Sequence, residues 1–305
     1  MTPQPGILAQ GNAHAYFMIF KVPGQAERTA IVKAVHQVQP SAGVVADLDP
    51  GAKLVINVGI GSELWDRVSP GSRPANLRAF HAVQVGGRSA PVTGGDIFLH
   101  IASARHDLNF ELAMRLARLL GPVATLSEEV HGFRYLDTRD LTGFIDGTEN
   151  PKGEDRAAAA LIGSEDPPFA GGSYVAVQRY VHDLEKWRRL EIHEQEQIIG
   201  RTKPESVQLS DSVKPATAHI SRVAIQQNGQ ELQILRHSYP YGTVREAGLF
   251  FVAYMKSLHT FDRMLQRMMG AAEDGLHDRL MEFSQARTGA TFFVPSLETL
   301  GSLTT

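Results

Sequence analysis

Residues 94–121, GGDIFLHIASARHDLNFELAMRLARLLG, and residues 247–270, AGLFFVAYMKSLHTFDRMLQRMMG, carry the same plan. Each opens with an apolar run of strand length, passes through a linker containing a histidine, and continues as an amphipathic helix ending in glycine. A second pair repeats the relationship. HAYFMIFKV (residues 14–22) is followed by a helical pattern over Glu27–Val38, and SYVAVQRY (residues 173–180) by one over Asp183–Ile199. Both pairs are offset by about 150 to 160 residues. The chain therefore reads as two similar α+β units, each with a few antiparallel strands and helices on one face.

Working outward, Lys53–Val58 reads as a short buried strand, Ser62–Val68 as a short helix, Asp96–Ala102 as a strand and Leu108–Leu120 as a helix. Gly86–Gly95, rich in Gly, Ser and Pro, separates two of these elements. The boundary between the units falls near residue 135, giving halves of 1–134 and 135–305. Lys152–Gly172 reads as a long surface loop. At 305 residues and 43% apolar content, the chain can build two cores.

The formal net charge of −3 gives no electrostatic reason to expect a nucleic acid. Without cysteine there is no disulfide, thiolate metal ligation or iron–sulfur cluster. No basic region followed by an apolar run marks a secretory leader, and no stretch reaches the roughly 18 apolar residues of a membrane span. These readings lead to the expectation of a cytoplasmic protein with no membrane partner.

Chemistry concentrates in Gly143-Phe144-Ile145-Asp146-Gly147-Thr148-Glu149-Asn150-Pro151. Gly147 frees the backbone for positive φ, Thr148 and Asn150 can bond the local backbone, and Pro151 ends any regular element. A capped, solvated turn is the ordinary explanation. A carboxylate held rigidly for acid–base work is the functional one. An aspartyl-phosphate enzyme needs a nucleophilic Asp where Phe144 stands. A calcium-binding EF-hand loop counted from Asp146 needs Gly and Glu where Pro151 and Ala157 stand. Two other motifs also fail: His193-Glu194 is followed by Gln197 where a zinc protease needs His, and Gly59-Ile60-Gly61 lacks the third glycine of a dinucleotide loop, Leu64 being there instead.

The nonapeptide resembles the Gly-x-x-Asp-Gly-Thr-x-Asn-Pro signature of dye-decolorising peroxidases, a family of haem enzymes. The similarity covers most of the chain. It includes Glu129–Tyr135, Gly171–Val175, Ile198–Lys203, Ala218-His219, Leu235–Gly242 and Gly248–Tyr254. The resemblance implies a pair of ferredoxin-like halves of the dimeric α+β barrel type, with antiparallel sheets and helices packed outside. It also implies one haem b per chain.

Carried over residue by residue, the resemblance makes His219 the axial haem ligand and Asp278 the carboxylate behind it, with Asp274 as the alternative. By itself His219 is one of twelve histidines, and nothing local singles it out. Asp146 and Arg236 are the catalytic pair. Arg236 follows the apolar Ile234-Leu235 on a probable strand, where a charge needs a partner. Ser238 shares its face. Leu249 and Phe251 wall the pocket, although core packing would explain them equally. Arg201, and behind it Lys203, follow a helix end at Gly200. Pairing with that helix's dipole competes with binding a haem propionate. Trp65, Trp187 and the seven tyrosines are candidate electron relays but are ordinarily packing residues.

The expected function is a peroxidase that reduces hydrogen peroxide and oxidises small aromatic donors such as dyes or phenolics. The alternatives are a haem-handling protein with incidental peroxidase activity, and a binding module without haem. A homo-oligomer is expected. The ending Leu300-Gly301-Ser302-Leu303-Thr304-Thr305 resembles the Gly-Ser-Leu tails that load some family members into protein nanocompartments.

Overall fold

A computed structural model describes residues 1–303. Eight strands carry the architecture: β1 (His14–Lys21), β2 (Val55–Ile60), β3 (Ile97–Ser103), β4 (Thr125–Phe133), β5 (Ser173–His182), β6 (Tyr239–Gly242), β7 (Ala247–Met255) and β8 (Ala290–Val294). All their pairings are antiparallel, and they close on themselves in the order β6-β4-β1-β3-β2-β8-β5-β7, with β7 returning to β6. A closed barrel leaves no strand edge among these eight. Short segments extend two strand lines: Leu235–Arg236 pairs with β7 above β6, and Ser284–Ala286 pairs with β5 beside β8.

The closure is uneven. Within the group β4-β1-β3-β2 and within the group β6-β7-β5-β8 the registers are long. The two groups meet at only two residue pairs, Tyr241 with Gly132 and Phe293 with Ile60. Glycine is required at the first seam, because a Cβ on Gly132 would lie 2.6 Å from Tyr239 Cβ. Numbered within their halves, the strands of both groups run 4-1-3-2.

Strand alternation sorts the side chains into two cores. Phe17, Ile19, Phe98, Val175, Val177, Phe250, Val252 and Phe292 point inward and fill the barrel. Tyr16, Met18, Phe20, Leu99 and Ile101 point outward beneath helices Arg28–His36, Val38–Ala46 and His106–Leu120, and are almost fully buried. The burial of each large side chain contributes about 1.5–3 kcal/mol. On the other group the outward face is only partly covered by helix Leu258–Met269, and Arg236, Ser238, Leu249 and Phe251 stay half-buried there.

Several sequence expectations shift. The helix after Glu27 is two helices, with Pro40 in the first turn of the second, where its missing N–H costs nothing. The helix expected over Asp183–Ile199 also breaks, into Leu184–Arg188 and Ile192–Ile199. The buried Gln195 amide donates to the carbonyls of Trp187 (3.1 Å) and Leu190 (3.1 Å) and satisfies the broken end. Lys152–Gly172 is not simply a surface loop: it holds a helix at Asp155–Ala160 and buries Ala160, Ile162 and Phe169. The histidines placed in linkers, His106 and His259, lie in the first turns of their helices.

Candidate active site

His219 is the first residue of the short helix His219–Val223. Its Nδ1 lies 2.6 Å from Asp278 Oδ2, and Asp278 is completely buried. The other carboxylate oxygen accepts the Leu280 N–H at 2.9 Å. Main-chain bonds from Asp278 N–H to Met268 O and from Arg279 N–H to Thr217 O tie the segment to its neighbours. With Nδ1–H donated to the carboxylate, His219 Nε2 keeps its lone pair, and no described residue hydrogen-bonds it. Asp274, the alternative partner, is committed elsewhere. It accepts two bonds, at 2.7 and 2.9 Å, from the buried guanidinium of Arg222.

Asp146 sits at the end of a small hairpin. Its N–H donates to Thr138 O at 3.0 Å, and Gly147, at φ +78°, turns its own N–H onto Asp146 Oδ1 at 2.7 Å. The hairpin is anchored from below. Arg139 donates to the carbonyls of Gly143, Lys203 and Pro204. Phe144 packs with Trp187, Ile198, Ile199 and Phe283 in a small separate core. Asp140 is linked to His182 Nε2 at 3.2 Å, and His182 Nδ1 to Ser284 Oγ at 2.8 Å. Burial opposes the Asp140 charge. The attraction of His182 and the bonds from His182 and Thr142 outweigh it and bring the carboxyl down to about 2.

Arg236 meets this loop. Its Nη2 is 3.6 Å from Asp146 Oδ1, an ion pair with both groups partly exposed. The Arg236 main chain is held by Asn150, whose side-chain oxygen accepts the Arg236 N–H (2.9 Å) and whose amide donates to the Arg236 carbonyl (2.9 Å). Asn150 was expected to bond its own loop; its partner lies 86 residues away. Ser238, expected on the strand face of Arg236, lies in the short break between Leu235–Arg236 and β6; it accepts the Val252 N–H at 3.3 Å, leaving its O–H free.

Arg201 stands nearby. Burial, then the charge of Arg236, lowers its pKa. It pairs with Glu149 and donates to Ser206 O, while its buried Nε has no partner. Lys203 does not share this position. Its ammonium donates to Gln195 Oε1 at 2.5 Å and lies over the Phe144 ring. Leu249 and Phe251 flank the Arg236 line on the outward face of β7, and Phe251 stacks on Phe261 at 5.9 Å. Tyr180, on the outward face of β5, lies in the field of Asp278. The His219–Asp278 pair thus lies near β5 and the Arg236–Asp146 pair beside β7, two neighbouring strands. A surface cleft of about 710 Å³, lined by Tyr241, Thr243 and Glu246 among others, contains none of these residues.

Two family models match in tandem: "Dyp-type peroxidase, N-terminal" over residues 4–134 and "Dyp-type peroxidase, C-terminal" over residues 137–299. A dye-decolorizing peroxidase of Mycolicibacterium paratuberculosis is 40% identical over 301 residues, covering 98% of this chain and 84% of that protein. Among solved structures, a variant of DypB from Rhodococcus jostii RHA1 in complex with haem superposes with a TM-score of 0.95 at 41% identity, over 99% of this chain and 98% of that one. The encapsulated DyP-type peroxidase from Mycobacterium smegmatis gives 0.95 at 38% identity, over 99% of this chain and 98% of that one.

Proposed function

The chain belongs to the Dyp-type peroxidase family, and from that premise we propose how its own residues carry the chemistry. It is a haem-dependent peroxidase, an oxidoreductase with peroxide as electron acceptor. The residues present fit a haem. His219 offers an unshared Nε2 while Nδ1 is fixed by a buried carboxylate, the arrangement that suits an imidazole for iron. Arg201 has a buried, unpartnered Nε that a propionate would satisfy, and Leu249 and Phe251 supply apolar walls.

The haem, when bound, supplies the electrons that cleave the O–O bond and draws them back one at a time from the organic donor. Asp146 takes the proton from the near oxygen of hydrogen peroxide and delivers it to the leaving oxygen, which departs as water. Arg236 faces the charge that develops as the bond breaks, and Asn150 holds it in place through the main chain. Ser238 donates its free O–H to the bound peroxide or to a distal water. The Arg236–Asp146 pair carries this reading over simple haem handling, which needs no opposed base and cation on an open face.

The two groups of strands are proposed to be ferredoxin-like halves, 1–134 and 135–305, which the shared 4-1-3-2 order and the tandem family matches support. Small aromatic donors, a homo-oligomer and the cytoplasm complete the proposal. No helix among the described residues is long and apolar enough to cross a membrane. For loading into a nanocompartment, the setting of the M. smegmatis relative speaks in favour. The tail speaks against it: Leu300 and Leu303 are buried, and Thr304 and Thr305 lie outside the described residues. A steady-state peroxide assay with several dyes on haem-reconstituted protein tests the central claim. Dye oxidation that requires both haem and peroxide is expected. Haem uptake without peroxide turnover would overturn it in favour of haem handling.

A further inference from the structure

Inside the barrel, beyond the machinery described above, lies a buried polar cluster. Tyr254 on β7 is fully buried, and its phenol oxygen has two partners: Asn57 Nδ2 at 2.8 Å and His100 Nδ1 at 2.9 Å. Asn57 Nδ2 can only donate. The phenolic O–H is therefore free to point at His100 Nδ1, which accepts it, and the His100 proton resides on Nε2. Both His100 Nε2 and Asn57 Oδ1 are buried without a partner. Buried polar groups without a protein partner are uncommon inside a barrel core, which sets this cluster apart.

Its location suggests a use. Leu235 pairs with Tyr254 and Arg236 with Ala253, so Tyr254 points into the barrel from β7, next to the paired segment whose outer face carries Arg236. His237, the neighbour of Arg236, turns its ring to within 5.4 Å of Tyr254 at nearly a right angle, and is held there by Ile7 O at 2.8 Å. The N-terminal segment closes over the cluster, with Ile7 inside the core and Gly6 against the Asn57 side chain. The phenol is thus buried, on the strand paired with the Arg236 segment, and already bonded to a base.

We propose that Tyr254 and His100 form a proton-coupled redox pair that stores one oxidising equivalent when no organic donor is at hand. The Tyr254 O–H bond breaks, its electron passes to the peroxide-oxidised haem, and its proton forms a new N–H bond at His100 Nδ1. The products are a neutral phenoxyl radical, an imidazolium, and a haem reduced by one electron. An electron from a later donor, with the proton returned from His100, restores the phenol. Burial makes it hard for Tyr254 to shed a proton alone, and burial with His237 nearby keeps the resting His100 neutral and able to accept one. The same burial disfavours the imidazolium, which favours return of the proton once an electron arrives.

The inference rests on the peroxidase reading, so haem absorbance and peroxide consumption are recorded on the same samples. Haem-loaded protein is mixed with peroxide without donor, frozen, and measured by electron paramagnetic resonance, with and without ring-deuterated tyrosine. The expected result is a tyrosyl signal whose splitting collapses on deuteration, survives in Tyr239→Phe and disappears in Tyr254→Phe. His100→Gln keeps the phenol and removes the base, and should slow the signal's appearance by about 10². Because it leaves Tyr254 in place, it also serves if the Tyr254 variant folds poorly. A signal that persists in Tyr254→Phe, an unchanged rate in His100→Gln, or peroxide consumption in the wild type with no tyrosyl signal would each overturn the proposal. Failure to consume peroxide at all would instead overturn the peroxidase reading, and the redox pair with it.

Discussion

Asn150 grips the main chain of Arg236 at both of its hydrogen-bonding groups, giving the arginine's backbone a side-chain amide in place of a neighbouring strand. Leu235–Arg236 pairs with β7 on one edge only, and Asn150 supplies the other. The loop that carries Asp146 is thereby fastened to Arg236.

Asn150→Ala should therefore act on chemistry more than on haem binding. Two main-chain groups lose their partners, at a cost of about 1–3 kcal/mol in stability. A small displacement of Arg236 should lower the peroxide-reduction rate by about 10². Thermal unfolding and stopped-flow peroxide consumption at matched haem content provide the check. Asn150→Asp, which keeps the acceptor for the Arg236 N–H, should recover part of the rate.

Arg236→Ala and Asp146→Asn should each slow peroxide reduction, by about 10²–10³ for the lost cation and about 10²–10⁴ for the lost base. Since the two side chains face each other at 3.6 Å, the double variant should be little worse than the poorer single. Rates that multiply, or singles within a factor of a few of wild type, would show that the residues do not work on one bond.

His219→Ala should lose haem or show an altered ligand-field spectrum. Asp278→Asn should retain haem but change the spectrum, because a neutral amide returns less electron density through the Nδ1–H bond. Asp274→Asn should leave the spectrum unchanged and act through Arg222, on stability alone. Ultraviolet–visible and resonance Raman spectra of the three variants separate these roles.

Acid should loosen the base of the Asp146 hairpin. The folded pKa of Asp140, about 2, lies below the ordinary aspartate value near 4. Its stabilising contribution is therefore complete above about pH 4 and is lost as pH falls towards 2, amounting to roughly 2 kcal/mol. Asp140→Asn should be less stable than wild type at pH 5–7, and the difference should shrink as pH drops through this window. Urea denaturation at successive pH values would show it. A difference that grows with acid would reverse the sign and refute the assignment.

Much of this was legible in the sequence, unevenly. The strand and helix plan came through because alternation and helical spacing are local signals, and Phe144 and Gly147 behave as their residue types suggest. Asp146, Arg236 and His219 were picked out by family resemblance, which left Asp274 and Asp278 open. Only the fold could separate them, since both follow the same helix and one turns to Arg222. The barrel came from the family resemblance alone, because each seam rests on one residue pair, far too little to leave a local pattern. The grip of Asn150 on Arg236 and the Asp140–His182–Ser284 chain were equally hidden. Their members are far apart in sequence, and each residue alone looks like an ordinary loop or strand-end polar group.

The uneven cover over the two strand groups has a consequence for how the protein can change. One group is packed on both faces; the other is left partly bare on its outward face, and that bare ground carries the site proposed for the chemistry. Substitutions outward on β1 or β3 can only draw down the reserve of stability. Substitutions at Ser238, Leu249 or Phe251 can reshape what the enzyme accepts at little structural cost. The molecule thus divides into a keel and a deck: new donors are accommodated by refitting the deck, and the keel sets how much refitting the fold survives.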